Sequence, residues 1–418
     1  MSFAGPRIAV LTIGDELLSG EVQDANLSSI AQKLRGIGMT ISRHVTVPDD
    51  VGEISSEVRE LASVHDALIV TGGLGPTSDD LTSEAVAAAA GVELVFHPHL
   101  EQNLLRFFEM MGRKMSPENL QQAYLPAGAV EVPTAGGTAP GFMMDIAGAL
   151  VAVLPGVPRE MESMMDTHVL AEIESRLAGG PVVVTRRIMT FGMGESDVAS
   201  LVSDIIDKGE VKYGFLVMRG PVVVKLTASG ASRAQADALL DSEQEKVAAR
   251  LGALAYAVDD EPMEEVVGKL LRLEGLTIST AESLTAGSVS AALANVPGSS
   301  DYLRGGLVAY DALEKEKSLG VPAELLADGA VSRPVAEAMA QGARKLFSTD
   351  IAVSTTGVAG PGTGVESKPV GTVAIALAHA GGTISLERRL PGPRGMVRNI
   401  ATLAALNLVR LHLQKGSP

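Results

Sequence analysis

Three short apolar runs, each ending in a loop of small residues that opens onto a helical pattern, constrain this chain more than any other feature. Arg7–Ile13 leads into Gly14-Asp15-Glu16-Leu17, Ala67–Thr71 into Gly72-Gly73-Leu74-Gly75, and Leu276–Thr280 into Ala281-Glu282-Ser283. Continuous runs of this kind are strands buried on both faces. Helical spacing follows the first at Leu27, Ile30, Ala31, Leu34 and Ile37, with Asp24 placed as a cap and Gly36 or Gly38 at the end. Ile41–Val47 predicts another strand, and Leu81–Ala90 a helix behind Ala67–Thr71. The β–α–β–α order predicts a largely parallel sheet with functional loops at the carboxyl ends of its strands.

Aromatic residues are only 3% and Trp is absent, so the cores must be built from Ala, Val, Leu, Ile and Met. The chain has 418 residues, too many for one core. The rhythm changes between Leu170 and Val258, where strand-like Val182–Thr190 and Val222–Thr227 alternate with helices at Ser196–Ile206 and Ala234–Arg250. Asp259–Pro262 reads as a linker. Beyond it come a helix (Val266–Leu273), the Leu276–Thr280 strand, a helix (Leu284–Leu293), strands near Ile351–Thr355 and Val373–Ala378, and a buried final helix, Val397–Leu413. The expected fold is α/β: two three-layer α/β domains, 1–170 and 259–418, joined by a small α+β domain, 171–258.

Cysteine is absent, which excludes disulfides, thiolate metal sites and cysteine nucleophiles. The formal charge of −16, with no concentrated basic block, argues against direct nucleic-acid binding. The first residues lack a signal-peptide core and no apolar run reaches the ~18 residues of a membrane span, so a cytoplasmic location is expected.

Ser283 is open to two readings: a helix cap, or a nucleophile set where helix amides can hold an oxyanion or phosphate. A serine nucleophile needs a base, and neither His379 nor His412, both inside predicted elements, is well placed. Lys315, a few residues beyond the apolar run Gly306–Ala309, is the alternative base. It is otherwise a solvated surface lysine. A third element is the loop Thr356-Gly357-Val358-Ala359-Gly360-Pro361-Gly362-Thr363-Gly364, whose glycines allow close backbone approach to an anion. Arg394 and Arg398, one helical turn apart, can add charge for a phosphate.

In the N-terminal domain the glycines Gly72, Gly73 and Gly75 precede a helix and make an anion cradle. Asp15, Asp79 and Asp80 would repel a phosphate unless a divalent cation, Mg²⁺ by preference, bridged them. As the other reading, Asp79 and Asp80 cap the helix start. His97-Pro98-His99 reads as a proline opening the helix Leu100–Met111 rather than as a zinc site.

Together these motifs resemble the competence/damage-inducible protein A (CinA) family over nearly the full chain. Ala281-Glu282-Ser283, Tyr310 with Lys315 five residues on, Leu319-Gly320-Val321, Thr356–Pro361 and Lys368–Val373 match its C-terminal domain, whose members include nicotinamide mononucleotide deamidases. The resemblance implies Ser283 as nucleophile, Lys315 as base and Tyr310 as a positioning group. Thr285, Gly357, Ala359, Gly360, Arg394 and Arg398 would contact nicotinamide mononucleotide, with no cofactor. Many members read Cys and Gly where this chain has Leu284 and Ala286, and Ala286 is expected to tighten the pocket.

Residues 1–170 resemble the molybdopterin-binding superfamily through the two N-terminal loops, Gly136–Phe142 and Leu154–Met161. In CinA proteins this implies metal-dependent ADP-ribose pyrophosphatase activity, although the superfamily also contains domains that only bind a pterin. Thr134 stands where Asn is common. The middle domain is similar to a KH module, but Gly192-Met193-Gly194-Glu195 departs from the nucleotide-clamping loop. A homodimer recycling products of NAD breakdown is the expectation. Its alternatives are a deamidase with a non-catalytic N-terminal domain, and a non-enzymatic interaction protein of DNA uptake or repair.

Overall fold

The computed structural model describes residues 5–134, 136–177, 179–206, 209–362 and 368–416. It forms two compact units, Met1–Thr185 with Ala228–Leu239, and Arg186–Thr227 with Leu240–Pro418. The ends of the expected glycine loop, Thr363 and Gly364, lie outside the described residues.

The first unit runs β1 (Ile8–Ile13), α1 (Asp15–Ser19), α2 (Ala25–Gly36), β2 (Ile41–Val47), α3 (Val51–Val64), β3 (Ala67–Thr71) and α4 (Thr82–Ala90). It continues with β4 (Leu94–Phe96), α5 (Pro98–Met110), β5 (Tyr124–Pro126), β6 (Val130–Val132), β7 (Gly141–Ile146), β8 (Ala149–Leu154), α6 (Pro158–Met164) and α7 (Leu170–Arg176). Its main sheet has the order β2-β1-β3-β8-β7-β6. The first four strands are parallel, and β7 and β6 close the sheet antiparallel.

Alternate residues of β1 divide between two cores. Ala9, Leu11 and Ile13 pack with Ile54, Val58 and Leu61 of α3, while Ile8 and Val10 pack with Ile30 and Leu34 of α2 and Met161 of α6. Two-sided burial makes this a three-layer domain. Asp24 caps α2 by accepting the Leu27 N–H at 2.9 Å, and Pro98 opens α5, both as the sequence predicts.

Next come β9 (Val182–Thr190), α8 (Glu195–Ile206), β10 (Lys212–Val217), β11 (Val222–Gly230), α9 (Arg233–Leu251) and β12 (Ala255–Val258), whose sheet order is β10-β11-β9-β12. The two outer strands, β10 and β12, were not expected. β10 is half exposed and interrupted by Gly214, and β12 has four residues, so neither carries a buried-strand pattern.

The chain ends with α10 (Met263–Glu274), β13 (Ile278–Glu282), α11 (Ser288–Asn295), β14 (Leu303–Val308), α12 (Ala312–Leu319), α13 (Ala323–Ala327) and α14 (Arg333–Phe347). Then follow β15 (Ile351–Gly357), β16 (Thr372–His379), β17 (Gly382–Arg389) and α15 (Arg394–Gly416). The sheet order is β14-β13-β15-β16-β17, parallel across the first three strands and antiparallel across the last two. Buried residues of α10, α11 and α15 pack on one face, those of α12 and α14 on the other. α14 lies so close to α12 that a Cβ at Gly342 would stand 2.0 Å from the Leu319 carbonyl oxygen.

The helix expected from Leu284 begins only at Ser288. Two successive left-handed residues, Ala286 at φ 51° and Gly287 at φ 92°, hold the backbone in a turn until then. Glu282, 1% exposed, replaces a conventional cap: its carboxylate accepts the Val289 N–H at 3.0 Å and the Ser290 N–H at 2.8 Å. The consequence of alanine at 286 is therefore a backbone one, since an L-residue in the left-handed region costs roughly 1–2 kcal/mol relative to glycine. Ala286→Gly is expected to stabilise this unit by about 0.5–1 kcal/mol after glycine's greater unfolded-chain entropy is subtracted. A thermal melt of the full chain should show a midpoint raised by about 2 °C. A lowered midpoint would mean the turn relies on the alanine methyl.

Candidate active site

Ser283 leaves the carboxyl end of β13, its N–H donating to the Thr355 carbonyl at 2.9 Å. Lys315 comes from α12, which Asp311 caps by accepting the Glu314 N–H at 2.9 Å. The lysine is no surface residue: it is 1% exposed, and its Nζ lies 3.1 Å from Ser283 Oγ. The carbonyl oxygens of Tyr310 and Asp311 stand 3.3 and 3.4 Å from the same nitrogen. Ser283 is not a helix cap, because the amides it would have served belong to Glu282. For the same reason the first amides of α11 are not open to an oxyanion or phosphate, contrary to the sequence expectation.

Tyr310 is exposed, and its hydroxyl accepts from the Arg394 guanidinium at 2.7 Å. The other arm of Arg394 donates to the Gly360 carbonyl at 2.9 Å, tying the Gly357-Val358-Ala359-Gly360 loop to the same side of the sheet. Arg398 has a different task from the one expected. Its Nε and one terminal nitrogen donate to the carbonyls of Leu284 and Thr285, each at 2.9 Å, so it braces the serine turn. Thr285 is likewise enclosed at 0% exposure, its hydroxyl 2.7 Å from that of Thr355. Of these residues, Tyr310 and Arg394 are exposed, whereas Thr285 is enclosed.

In the first unit a cavity of about 460 Å³ opens at the carboxyl ends of β1 and β3 and is lined by Gly72, Gly73, Gly75, Asp79 and Asp80. Gly72 is required there: at φ 113°, a Cβ would lie 2.3 Å from the Ile13 carbonyl oxygen. Asp80 is occupied within the loop, accepting the Gly75 N–H at 2.7 Å, the Thr77 N–H at 2.8 Å and the Thr77 hydroxyl at 2.5 Å. The Gly75 amide is therefore not free to donate to a phosphate, and the Asp80 carboxylate braces its own loop. Asp15 is not among the lining residues; its N–H donates to Asp49 at 3.0 Å.

Asp49 does line the cavity. Burial, together with the charges of Asp15, Glu16 and Asp79, pushes its carboxyl above the usual range, against the opposing Asp15 N–H. Asp49 escaped the sequence reading because it precedes Asp50, the cap of α3, and reads as part of an ordinary helix start. Glu160, whose carboxyl burial raises, was missed because it sits in the first turn of α6. Thr134 accepts the Gly137 N–H at 3.1 Å and shapes the adjoining turn. Among the described residues no group of three or more His, Asp or Glu is arranged to hold a metal ion, and the expected Asp15–Asp79–Asp80 set does not converge. His99 pairs with Glu131 at 2.7 Å. No described helix is long and apolar enough to cross a membrane.

Comparison with known families assigns each segment. Residues 260–413 match the CinA C-terminal domain, 185–257 the KH domain of damage-inducible protein CinA, and 9–175 the "Probable molybdopterin binding domain". A CinA-like protein of Geobacter sulfurreducens is 41% identical over 97% of this chain and 99% of its own length. A CinA-like protein of Citrifermentans bemidjiense is 43% identical, covering 97% of each chain. A third, from Frankia casuarinae, is 41% identical over 97% of this chain and 95% of its own. With its two three-layer domains and KH-like middle segment, the chain belongs to the CinA family.

Proposed function

We propose that the C-terminal domain hydrolyses the carboxamide of nicotinamide mononucleotide to nicotinate mononucleotide and ammonia. The observation that carries this reading is the 3.1 Å approach of Lys315 Nζ to Ser283 Oγ, with both residues buried. A lysine kept from water loses hydration that favours its charged form. As a neutral amine, Lys315 donates its two hydrogens to the carbonyls of Tyr310 and Asp311 and turns its lone pair to the Ser283 hydroxyl. Ser283 Oγ then attacks the carboxamide carbon while its proton passes to Nζ. The same proton leaves with the amide nitrogen as ammonia. Water, deprotonated by Nζ, opens the resulting ester and releases the carboxylate. Arg394, exposed beside Tyr310, is the cation placed to meet the substrate phosphate.

For the N-terminal domain we propose hydrolysis of the ADP-ribose diphosphate. A resident metal does not fit the described residues, but a divalent cation carried by the diphosphate needs only one or two carboxylates. Asp49 and Asp79 line the cavity and supply them. Bound there, the cation would neutralise phosphate charge.

Ammonia release from nicotinamide mononucleotide in EDTA should fall by about 10³-fold or more in Ser283→Ala and in Lys315→Met. Lys315→Arg should not rescue it, because a guanidinium cannot give up its proton. Full turnover by folded Ser283→Ala would sink the deamidase reading. Separately, AMP formation from ADP-ribose should need added Mg²⁺ and drop at least about tenfold in Asp79→Ala and Asp49→Asn. Background rates in the wild type would leave a binding-only domain.

A further inference from the structure

The KH-like segment and the C-terminal domain match separate families, yet Arg186–Thr227 and Leu240–Pro418 form one compact unit. A shared core joins them: Met189, Phe191, Val223 and Tyr256 pack with Val397, Ala401, Leu406 and Val409 of α15. Toward the C-terminal end of α15, Arg410, 1% exposed, donates to the carbonyls of Ala253 at 2.6 Å and Ala255 at 3.3 Å. The stretch expected as a linker is held as well. The Asp259 N–H donates to the Arg187 carbonyl at 2.8 Å, the Arg187 N–H to the Asp259 carboxylate at 3.0 Å, and Asp260 pairs with the Arg187 guanidinium at 2.7 Å.

The first turns of α15 carry side chains that belong to the Ser283 site. Arg394 holds the Tyr310 hydroxyl and the Gly360 carbonyl, and Arg398 braces the turn after Ser283. Against another face of the same turns lies the hairpin between β10 and β11, Met218-Arg219-Gly220-Pro221. Asn399 Nδ2 donates to the Arg219 carbonyl there. Gly220, at φ 132°, comes so near the helix that a Cβ would stand 2.6 Å from Leu403 Cδ1. Asn399 follows Arg398 by one residue, about 100° around the helix, so the hairpin and the Ser283 site grip α15 from different sides. Asparagine is a poor helix former, and at this exposed position helix stability gives no reason for it. Its bond to the hairpin does.

We propose that Asn399 is a positioning residue of the Ser283 site, and that the β10–β11 hairpin it holds sets the reach of Arg394. The inference rests on the deamidase reading above, in which Arg394 meets the phosphate of nicotinamide mononucleotide. Arg394 is the first residue of α15, where a tilt of the helix displaces a side chain most. Small misplacements of a substrate-holding group are costly. Arg398 has its own bonds to the Leu284 and Thr285 carbonyls, so the serine turn keeps its shape without the hairpin. The KH-like segment therefore acts on phosphate capture, read in KM, and leaves the bond-making step, read in kcat, alone.

The test is ammonia release as a function of nicotinamide mononucleotide concentration, using the full chain with Asn399→Ala, Arg394→Gln or both. Asn399→Ala should raise KM about fivefold while kcat stays within about twofold of the wild type. Gly220→Val, which forces the hairpin away from Leu403, should do the same. In the Arg394→Gln background Asn399→Ala should leave kcat/KM unchanged, because the group it positions is already gone. A merely structural role would lower kcat, or would lower kcat/KM by the same factor with and without Arg394, and either result overturns the assignment. An unchanged KM in both Asn399→Ala and Gly220→Val overturns it too, with the deamidase reading intact. A wild type without turnover overturns both.

Discussion

A parallel strand buried on both faces leaves only its carboxyl end where side chains of different elements can meet around a ligand. Both large domains are organised by that constraint. β1 and β3 deliver Gly14 and the Thr71–Gly75 loop to one rim, and β13 delivers Ser283 to another. In each case the chain needs backbone conformations that regular structure does not supply. Gly72 and the Ala286-Gly287 pair, all at positive φ, are the places where it obtains them.

The two sites solve opposite electrostatic problems. At Ser283 the buried charges serve to shape the backbone: Glu282 absorbs the amides of α11 and Arg398 absorbs the carbonyls of the turn. Ser283 is thus followed by a turn whose Leu284 and Thr285 carbonyls are held by Arg398 and which leads into a helix capped by Glu282. The N-terminal cavity instead gathers the carboxylates of Glu16, Asp24, Asp49, Asp79, Asp80 and Glu160, with no Lys, Arg or His among its described lining residues.

Strands such as β1, β3 and β13 and helices such as α2 and α15 were legible because burial leaves continuous apolar runs, and caps such as Asp24 and Pro98 sit at fixed offsets from them, whereas α3, α14 and β17 were not read. Ser283, Lys315, Tyr310 and Arg394 were legible through motifs, and the fold does bring them together. What stayed hidden were roles decided by partners distant in sequence. Arg398 and Thr285 look like ligand contacts until their hydrogen bonds to the serine turn and to Thr355 are seen. Asp80 reads as a metal ligand or a helix cap, and its bonds to Gly75 and Thr77, which brace its own loop, carry no sequence signal.

The contact between Gly342 and the Leu319 carbonyl gives α14 control over chemistry it does not touch. Leu319 ends the helix that bears Lys315, so that helix rests on α14 like a beam on a ledge. Any side chain at 342, even a single methyl, would lift the beam's far end and swing the amine relative to the serine. Tolerance at this position is therefore a step rather than a slope: the spacing between Lys315 and Ser283 is held from across the domain by the absence of one carbon atom.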